Sequence, residues 1–251
     1  MYCYLVDSQL IGRYAKLLNQ IELRLTDLGI KGPILKIDRL SNAGTIIPAY
    51  SKQGELNVIA VGEHEFFSRV VNQIPLKEKF TLGHIPMGGG NRKLSAALGI
   101  PHGLAACDTI AARRIRKFDV GSTNEGIFIS CLEVFERYEI ECDEQYRIGS
   151  GIAYACIKNL LSLLRDSGPN ANPRDGRFPL IIETKTDSGW HKKKILSRFH
   201  LRKSCVLRPL SHPGEIALDG CVKRCERLQI MFIPQFLNII VGKTAPLWPT
   251  T

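Results

Sequence analysis

Short apolar runs and longer stretches with helical spacing alternate along the first half of the chain. Apolar runs of four or five residues are too short for helices and are typical of strands buried on both faces of a sheet. Such a run predicts a strand at Asn57–Val61, and short strand-like segments predict others at Cys3–Val6, Ile34–Ile37, Thr81–Ile85 and Lys117–Val120. Helical spacing predicts helices at Gly12–Leu28, Phe66–Ile74, Lys93–Leu98 and Ala105–Arg116, and a polar helix fits about Ala43–Lys52. This alternation indicates a parallel sheet that helices cover on both faces.

The pattern changes after about Asn124, where short alternating stretches are interrupted by Gly, Pro, Asp and Asn. Such stretches are typical of an antiparallel sheet or sandwich. We expect a brief helix at Lys158–Arg165 and a disordered, turn-rich insert at Ser167–Arg177. The predicted fold is an α/β N-terminal domain with a parallel, Rossmann-like sheet over residues 1–124 and a C-terminal antiparallel β-sandwich domain over 125–237. The chain end, from about residue 238 to 251, is expected to pack back onto the first domain.

The composition indicates the cellular compartment in which the protein is expected. The 251 residues contain no run of about 18 apolar residues, so no transmembrane helix is predicted. The N-terminal residues lack the features of a secretory signal, and the eight cysteines are scattered, mostly within apolar runs. We therefore expect reduced thiols in a cytoplasmic protein, with peripheral attachment to the inner membrane surface left open. Cys221 and Cys225 have no histidine or second cysteine pair nearby, so no metal site is predicted.

The net charge of +10 belongs almost entirely to the C-terminal part. Residues 1–150 carry 18 Lys and Arg against 17 Asp and Glu, whereas residues 151–251 carry 16 against 7. A basic face attracts phosphates of nucleic acid or of an anionic membrane, and it is also compatible with a merely solvated surface. The basic segment KTDSGWHKKK resembles a hairpin with a solvated edge, so nucleic acid is not the expected partner. An anionic lipid or membrane surface and a homodimer stay open.

The segment from Thr81 to Pro101 contains the strongest chemical signal of the chain. An apolar strand leads to Pro86, three glycines, Gly88–Gly90, then Asn91 and a helical stretch. Glycines allow the backbone to approach a ligand closely, and the N–H groups at a following helix N-terminus favour a phosphate. A glycine-rich connection without a ligand is the alternative. The loop at Gly62–Phe66 also follows a strand of the parallel sheet, so both loops would face one cleft.

These motifs together resemble the diacylglycerol kinase catalytic domain, the bacterial lipid-kinase branch of the superfamily that also contains sphingosine and NAD kinases. In that family a GGDGT strand end and helix precede a P-x-G-T-x-N turn and a helix ending in LGIP. Pro86, Gly88, Gly90, Asn91 and Leu98–Pro101 match the latter. The segments IRKFDVGSTNEGIFI and EIALDGCVKRCERLQIMFIPQFLNIIVG resemble later strands of the family. The P-x-G-T-x-N and LGIP features favour the lipid branch over NAD kinase.

The resemblance implies ATP-dependent phosphoryl transfer to a lipid hydroxyl, with ATP and Mg²⁺ as cofactors. Its nucleotide-facing positions fall on six residues of this chain: Gly62, Glu63, Gly88, Gly89, Gly90 and Asn91. Glutamates in the GGDGT region would repel a triphosphate by about 4 kcal/mol at 4 Å and an effective dielectric near 20. We therefore expect them either to turn away or to act with a metal ion.

The catalytic motifs of the family are altered. His64 replaces the aspartate of GGDGT, Gly89 replaces the threonine of the glycine turn, and Cys221 replaces the acid of the closing DGE turn. His64, as an imidazole base, and Asp219 are the remaining catalytic candidates, although His64 could equally be a loop histidine without a role. Because phosphoryl transfer depends on metal-linked carboxylates, the alternative is a non-catalytic, pseudokinase-like module that binds nucleotide or anionic lipid.

Overall fold

The computed structural model describes residues 1–38, 55–73, 80–135, 138–143, 145–149, 152–161, 163, 170–188, 191–210 and 213–249. The chain divides into two units. The first comprises Met1–Lys117 and Leu237–Leu247, and the second comprises Phe118–Phe236 and Trp248–Thr251. We describe each unit by itself.

Sixteen strands and five α-helices lie in the described residues. The strands are β1 (Tyr2–Asp7), β2 (Ile34–Ile37), β3 (Leu56–Gly62), β4 (Phe80–Pro86), β5 (Ile115–Thr123), β6 (Gly126–Phe128), β7 (Cys131–Val134), β8 (Tyr138–Cys142), β9 (Tyr146–Ile148), β10 (Ile152–Lys158), β11 (Phe178–Ser188), β12 (His191–Leu201), β13 (Ser204–Pro209), β14 (Gly214–Leu218), β15 (Cys221–Cys225) and β16 (Leu228–Ile240). The helices are α1 (Ser8–Ile11), α2 (Ala15–Asp27), α3 (His64–Gln73), α4 (Lys93–Ala97) and α5 (Ala106–Ala112).

Parallel strands form the sheet of the first unit, in the order β2-β1-β3-β4, and the end of β16 pairs with β4 in parallel. Every residue of β3 and β4 is buried, as expected for strands with both faces covered. α2 directs Ile21 and Leu25 inward, which fits its helical spacing of apolar residues. The predicted α/β fold with a parallel sheet is therefore confirmed. The helix predicted at Ala43–Lys52 lies outside the described residues.

One predicted helix of this unit extends too far. The spacing predicted a helix over Ala105–Arg116, but α5 ends at Ala112, and the next residue, Arg113, adopts the left-handed conformation with φ of 46°. A left-handed residue terminates a helix because it cannot continue the right-handed turn. The following segment alternates as a strand and becomes β5, in which Phe118 and Val120 are fully buried.

The second unit is a β-sandwich. One sheet has the antiparallel order β12-β11-β10-β7-β14-β15, and β16, β13, β8 and β9 form antiparallel neighbours in the other. Side chains from both layers share one core, with Leu132, Ile157 and Phe178 from the first layer and Ile140 and Leu207 from the second. The predicted antiparallel sandwich is therefore confirmed.

The helix predicted at Lys158–Arg165 is wrong for the described part of that segment. Lys158 ends β10, and residues 159–161 and 163 are not helical. The side chain of Asn159 donates to the carbonyls of Asp119 (2.6 Å) and Ile129 (2.8 Å), and its backbone N–H donates to Ser130 (2.8 Å). These bonds hold the chain in an irregular conformation that competes with helix formation.

The turn-rich insert is an ordered loop over residues 170–177, so its predicted disorder is wrong there; residues 167–169 lie outside the described part. The N–H of Ala171 donates to the carbonyl of Leu160 (2.7 Å). The N–H of Asp119 donates to Pro173 (2.7 Å), and its carboxylate accepts the N–H of Gly176 (2.8 Å). Backbone hydrogen bonds to buried partners therefore fix this loop.

All eight cysteines, which lie within the described ranges, are thiols without disulfides. Burial raises the pKa of both Cys3 and Cys107 to about 11, so these thiols stay protonated at neutral pH. None of the helices in the described part of the chain has the length and apolar character needed to cross a membrane.

Candidate functional site

The glycine loop and the end of β3 lie side by side at one edge of the parallel sheet. Gly62 and Pro86, the last residues of β3 and β4, are register partners. The N–H of Met87 donates to the carbonyl of Gly62 (3.0 Å), which continues the strand pairing into the loop. Glu63 and Gly88–Gly90 therefore leave the sheet next to each other, at the carboxyl ends where parallel sheets place their ligands.

The side chain of Glu63 lies inside the glycine loop. The N–H groups of Gly89 and Gly90 both donate to its Oε1 atom, each at 3.0 Å. A Cβ atom at Gly90 would come within 2.6 Å of Oε2, and one at Gly88 would overlap Oε1. Consecutive backbone N–H groups that converge on one oxygen form an anion-binding concavity. In this chain the anion is the carboxylate of Glu63.

Two further contacts hold the loop. Gly88, with φ of +97°, adopts a conformation that side chains rarely tolerate, and its carbonyl accepts a hydrogen bond from Nε2 of His102 (3.1 Å). Oδ1 of Asn91 accepts the N–H of Lys93 (2.9 Å), two residues further on, and so forms a turn that leads into α4. The loop is therefore fixed at both ends as well as by Glu63.

His84 supports this edge of the sheet from within β4. Its Nε2 lies 3.0 Å from the carbonyl of Gly62, and because a carbonyl only accepts, Nε2 carries the proton. The ring stacks on Phe67 at 4.9 Å and is 1% exposed. Burial lowers the pKa of His84 to about 4, against the opposing effect of the bond to Gly62, and nearby His64 and His102 lower it further. His84 is therefore neutral at physiological pH.

His64, the first catalytic candidate, begins α3 directly after Glu63. Its side chain is only 6% exposed, and its Nδ1 has no hydrogen-bond partner within the described ranges. A base must reach the proton that it abstracts, and this imidazole is turned into the protein. A buried nitrogen without a partner is the kind of atom that an internal water satisfies.

Asp219, the second catalytic candidate, lies in the second unit and binds backbone. Its Oδ1 accepts the N–H groups of Ser130 (2.8 Å) and Cys131 (3.0 Å), and its Oδ2 accepts that of Ile129 (2.9 Å). Its own N–H donates to the carbonyl of Cys131 (2.9 Å), and the residue is 1% exposed with φ of 47°. This carboxylate organises the turn at residues 129–131. Cys221, which stands where the DGE turn of the resembled family has its acidic residue, is the first residue of β15.

The described residues contain no group of three or more His, Cys, Asp or Glu side chains arranged to hold a metal. At the edge of the first sheet, Oε1 of Glu63 is engaged by two N–H groups. Oδ1 of Asp7, at the end of β1, accepts the N–H of Gln9 (3.1 Å) and caps α1. Mg²⁺ usually keeps several waters and binds through one or two carboxylates together with the phosphates of a substrate, so a complete cage of protein ligands is not what it requires.

Sequence reasoning identified the glycine loop, but the predicted loop at Gly62–Phe66 is wrong, because α3 begins at His64 and only Glu63 separates it from β3. Sequence reasoning also missed three features of the site. His84 stands in an otherwise apolar strand, which was a detectable signal because buried histidines need partners. His102, just after the LGIP segment, offered no comparable signal. The contact between Glu63 and the loop joins residues 26 positions apart or more, so only the strand register could reveal it.

Comparisons with known proteins agree with this architecture. No family model matches the chain, and no curated protein matches it by sequence. A crystal structure of a diacylglycerol kinase from Bacillus anthracis str. Sterne is similar, with 17% identity, 98% of both chains covered and a TM-score of 0.76. An NAD kinase from Archaeoglobus fulgidus in complex with ATP has 13% identity, 97% and 94% coverage and a TM-score of 0.58. Yeast NADH kinase complexed with NADH has 7% identity, 97% and 84% coverage and a TM-score of 0.59.

At such identities the likeness shows the fold alone. The chain has the two-part fold shared by these diacylglycerol and NAD kinase structures. The fold that the motif resemblance implied is thereby confirmed.

Proposed function

We propose that this chain is a non-catalytic, pseudokinase-like module that binds the phosphates of a nucleotide at its glycine loop. The observation that carries the proposal is the convergence of the Gly89 and Gly90 N–H groups on one oxygen at 3.0 Å each. A loop that holds a carboxylate oxygen in this way offers the same donors to a phosphate oxygen.

Two observations favour binding over catalysis. Asp219 uses both oxygens to accept backbone N–H groups, and His64 is buried. Phosphoryl transfer relies on positioned charges and bases, and a buried imidazole and a carboxylate bound to backbone N–H groups are poorly placed to act in these roles.

Nucleotide titration tests this proposal. We expect ATP and ADP to bind in calorimetry with similar affinity in magnesium and in excess chelator, and to shift the amide resonances of Gly89 and Gly90. Adenosine is the control without phosphate, and it should leave those two resonances unchanged. Binding that strictly requires magnesium, or that leaves both glycines unperturbed, would contradict the proposal.

ATP-dependent phosphoryl transfer to a lipid hydroxyl is the second candidate, with ATP and Mg²⁺ as cofactors. Its support is the similarity to a diacylglycerol kinase structure over 98% of both chains, which includes the second unit. The measurement is ADP release with diacylglycerol and related lipids in mixed micelles. Lipid-dependent release above the ATP-only background would establish transfer, and none across the panel would reject it.

An anionic lipid surface is the partner that we propose for the basic C-terminal part. Arg198, Arg202 and Lys203 are exposed on and just after β12, and the apolar side chain of Leu196, two residues before Arg198, is exposed as well. Basic residues near apolar ones favour the surface of an anionic membrane. Co-sedimentation with phosphatidylglycerol vesicles, and not with phosphatidylcholine vesicles, is expected, and it should weaken at high salt. Equal sedimentation with both vesicle types would contradict it.

A further inference from the structure

The glycine loop already contains an anion, and that anion belongs to the chain. We infer that Glu63 is a built-in ligand of the Gly88–Gly90 loop, so that an external phosphate binds there only after the Glu63 carboxylate leaves. This inference rests on the proposed function, because it describes how the same phosphate site is regulated.

The geometry of the loop does not allow the Glu63 carboxylate and an external phosphate to bind at the same time. Oε1 of Glu63 accepts both loop N–H groups, at 3.0 Å each, so a phosphate oxygen using these donors would need the same position. The carboxylate also fills the space over the glycines, since a single added Cβ at Gly90 would lie 2.6 Å from Oε2. A second anion beside the first would be repelled as well as obstructed.

The surroundings of the Glu63 carboxylate allow it to leave the glycine loop. Glu63 is half-buried, and within the described ranges no lysine or arginine forms an ion pair with it. Its backbone carbonyl accepts the N–H of Phe67 (3.1 Å) at the start of α3, so the main chain is anchored independently of the side chain. Rotation of the side chain breaks two hydrogen bonds and exposes both donors to solvent or to a phosphate.

The experiment compares the wild type with Glu63→Gln, which keeps the shape and removes the charge, and with Glu63→Ala, which empties the loop. Glu65→Gln is the matched control, because Glu65 is an exposed acid in the first turn of the same helix. The probes are ADP and inorganic pyrophosphate in excess chelator, with circular dichroism to verify folding. We expect Glu63→Ala to bind both probes roughly 10- to 100-fold more tightly than wild type, within the usual range of coupling between sites. Glu63→Gln should gain less, and Glu65→Gln should match the wild type.

Hydrogen exchange supplies a readout that does not depend on any ligand. In the wild type the Gly89 and Gly90 amides are bonded to Glu63, so we expect exchange on the order of tenfold slower than in Glu63→Ala. Glu65→Gln should leave the exchange of both amides unchanged.

The outcomes separate the two proposals. Equal affinities of wild type and Glu63→Ala for ADP would overturn the inference and leave the proposed function standing. Unchanged exchange of both glycines in Glu63→Ala would also overturn the inference, because the contact would then not exist in solution. Faster exchange without binding of either probe by any variant would overturn the proposed function, and the competition inferred here would fall with it.

Discussion

Glu63 in the first unit and Asp219 in the second both accept backbone N–H groups, but they differ in how deeply they are buried. Both occupy motif positions at which the family resemblance implies a role near the phosphates, and both instead accept backbone N–H groups. Glu63 is half-buried and holds two N–H groups, whereas Asp219 is 1% exposed and holds three. The carboxylate at the glycine loop is therefore displaceable, whereas the carboxylate at residues 129–131 is structural.

Burial is the physical reason for the difference. When a carboxylate leaves exposed N–H groups, water takes its place and little free energy is lost. When a buried carboxylate is removed, its donors stay without partners. The following predictions test this contrast, beginning with the largest expected effect.

The Asp219→Ala variant should show the largest loss of stability. The N–H groups of Ile129, Ser130 and Cys131 would lose their acceptor, and each buried unsatisfied group costs about 1–3 kcal/mol. We expect the free energy of unfolding to fall by on the order of 3–5 kcal/mol in urea titrations. Asp219→Asn should lose less, because asparagine keeps an acceptor and tolerates the left-handed conformation with φ of 47°. A loss below about 1 kcal/mol for Asp219→Ala would mean that water reaches this turn.

The acid stability of the first unit should depend on His84. Its pKa is about 4 in the folded protein and near 6.5 when unfolded, so between these values the unfolded chain binds a proton that the native state does not. Stability therefore falls as the pH falls through this window, by about 3 kcal/mol between pH 7 and pH 4. His84→Gln keeps a donor for Gly62 and cannot titrate, so its unfolding free energy should lack this component. If the unfolding free energies of the wild type and His84→Gln depend on pH in the same way, burial does not lower the pKa of His84.

Gly90→Ala and Gly89→Ala form a matched pair that tests the occupied loop. A Cβ at Gly90 would meet the Glu63 carboxylate at 2.6 Å, whereas one at Gly89 has nothing within 4 Å. We expect Gly90→Ala to destabilise by about 0.5–1.5 kcal/mol at most, because the Glu63 carboxylate can turn away from the new Cβ at the cost of its two hydrogen bonds, and Gly89→Ala by less. In a Glu63→Ala background the cost of Gly90→Ala should shrink. If Gly90→Ala costs as much stability in the Glu63→Ala background as in the wild type, its Cβ does not clash with the Glu63 carboxylate.

Glu63→Ala should likewise have only a small effect on stability. The Gly89 and Gly90 donors return to water, so the loss is expected to be about 0.5–1.5 kcal/mol, well below that of Asp219→Ala. Thermal and urea unfolding of the two variants under identical conditions measure the difference. Equal losses would remove the distinction between a displaceable and a structural carboxylate.

Much of the fold could be predicted because local patterns carry it. Four- and five-residue apolar runs correctly located β3 and β4, and the loss of that pattern after Asn124 indicated the antiparallel sandwich. Errors arose where backbone geometry or hydrogen bonds override pattern, as at Arg113, which ends α5, and Asn159, which prevents a helix. At the site, the glycine loop was visible in the residue types, but its occupant was not.

The sequence by itself determined that a connection after Gly62 and the loop Gly88–Asn91 follow strands of a parallel sheet, and that His64, Gly89 and Cys221 depart from the kinase motifs. The tertiary structure alone decided what the carboxylates do. Pairing of Gly62 with Pro86 aligns Glu63 with the N–H groups of the loop, and burial commits Asp219 to backbone donors. Residue type specifies which groups can act as ligands, but strand register and access to water specify which partner each group finds.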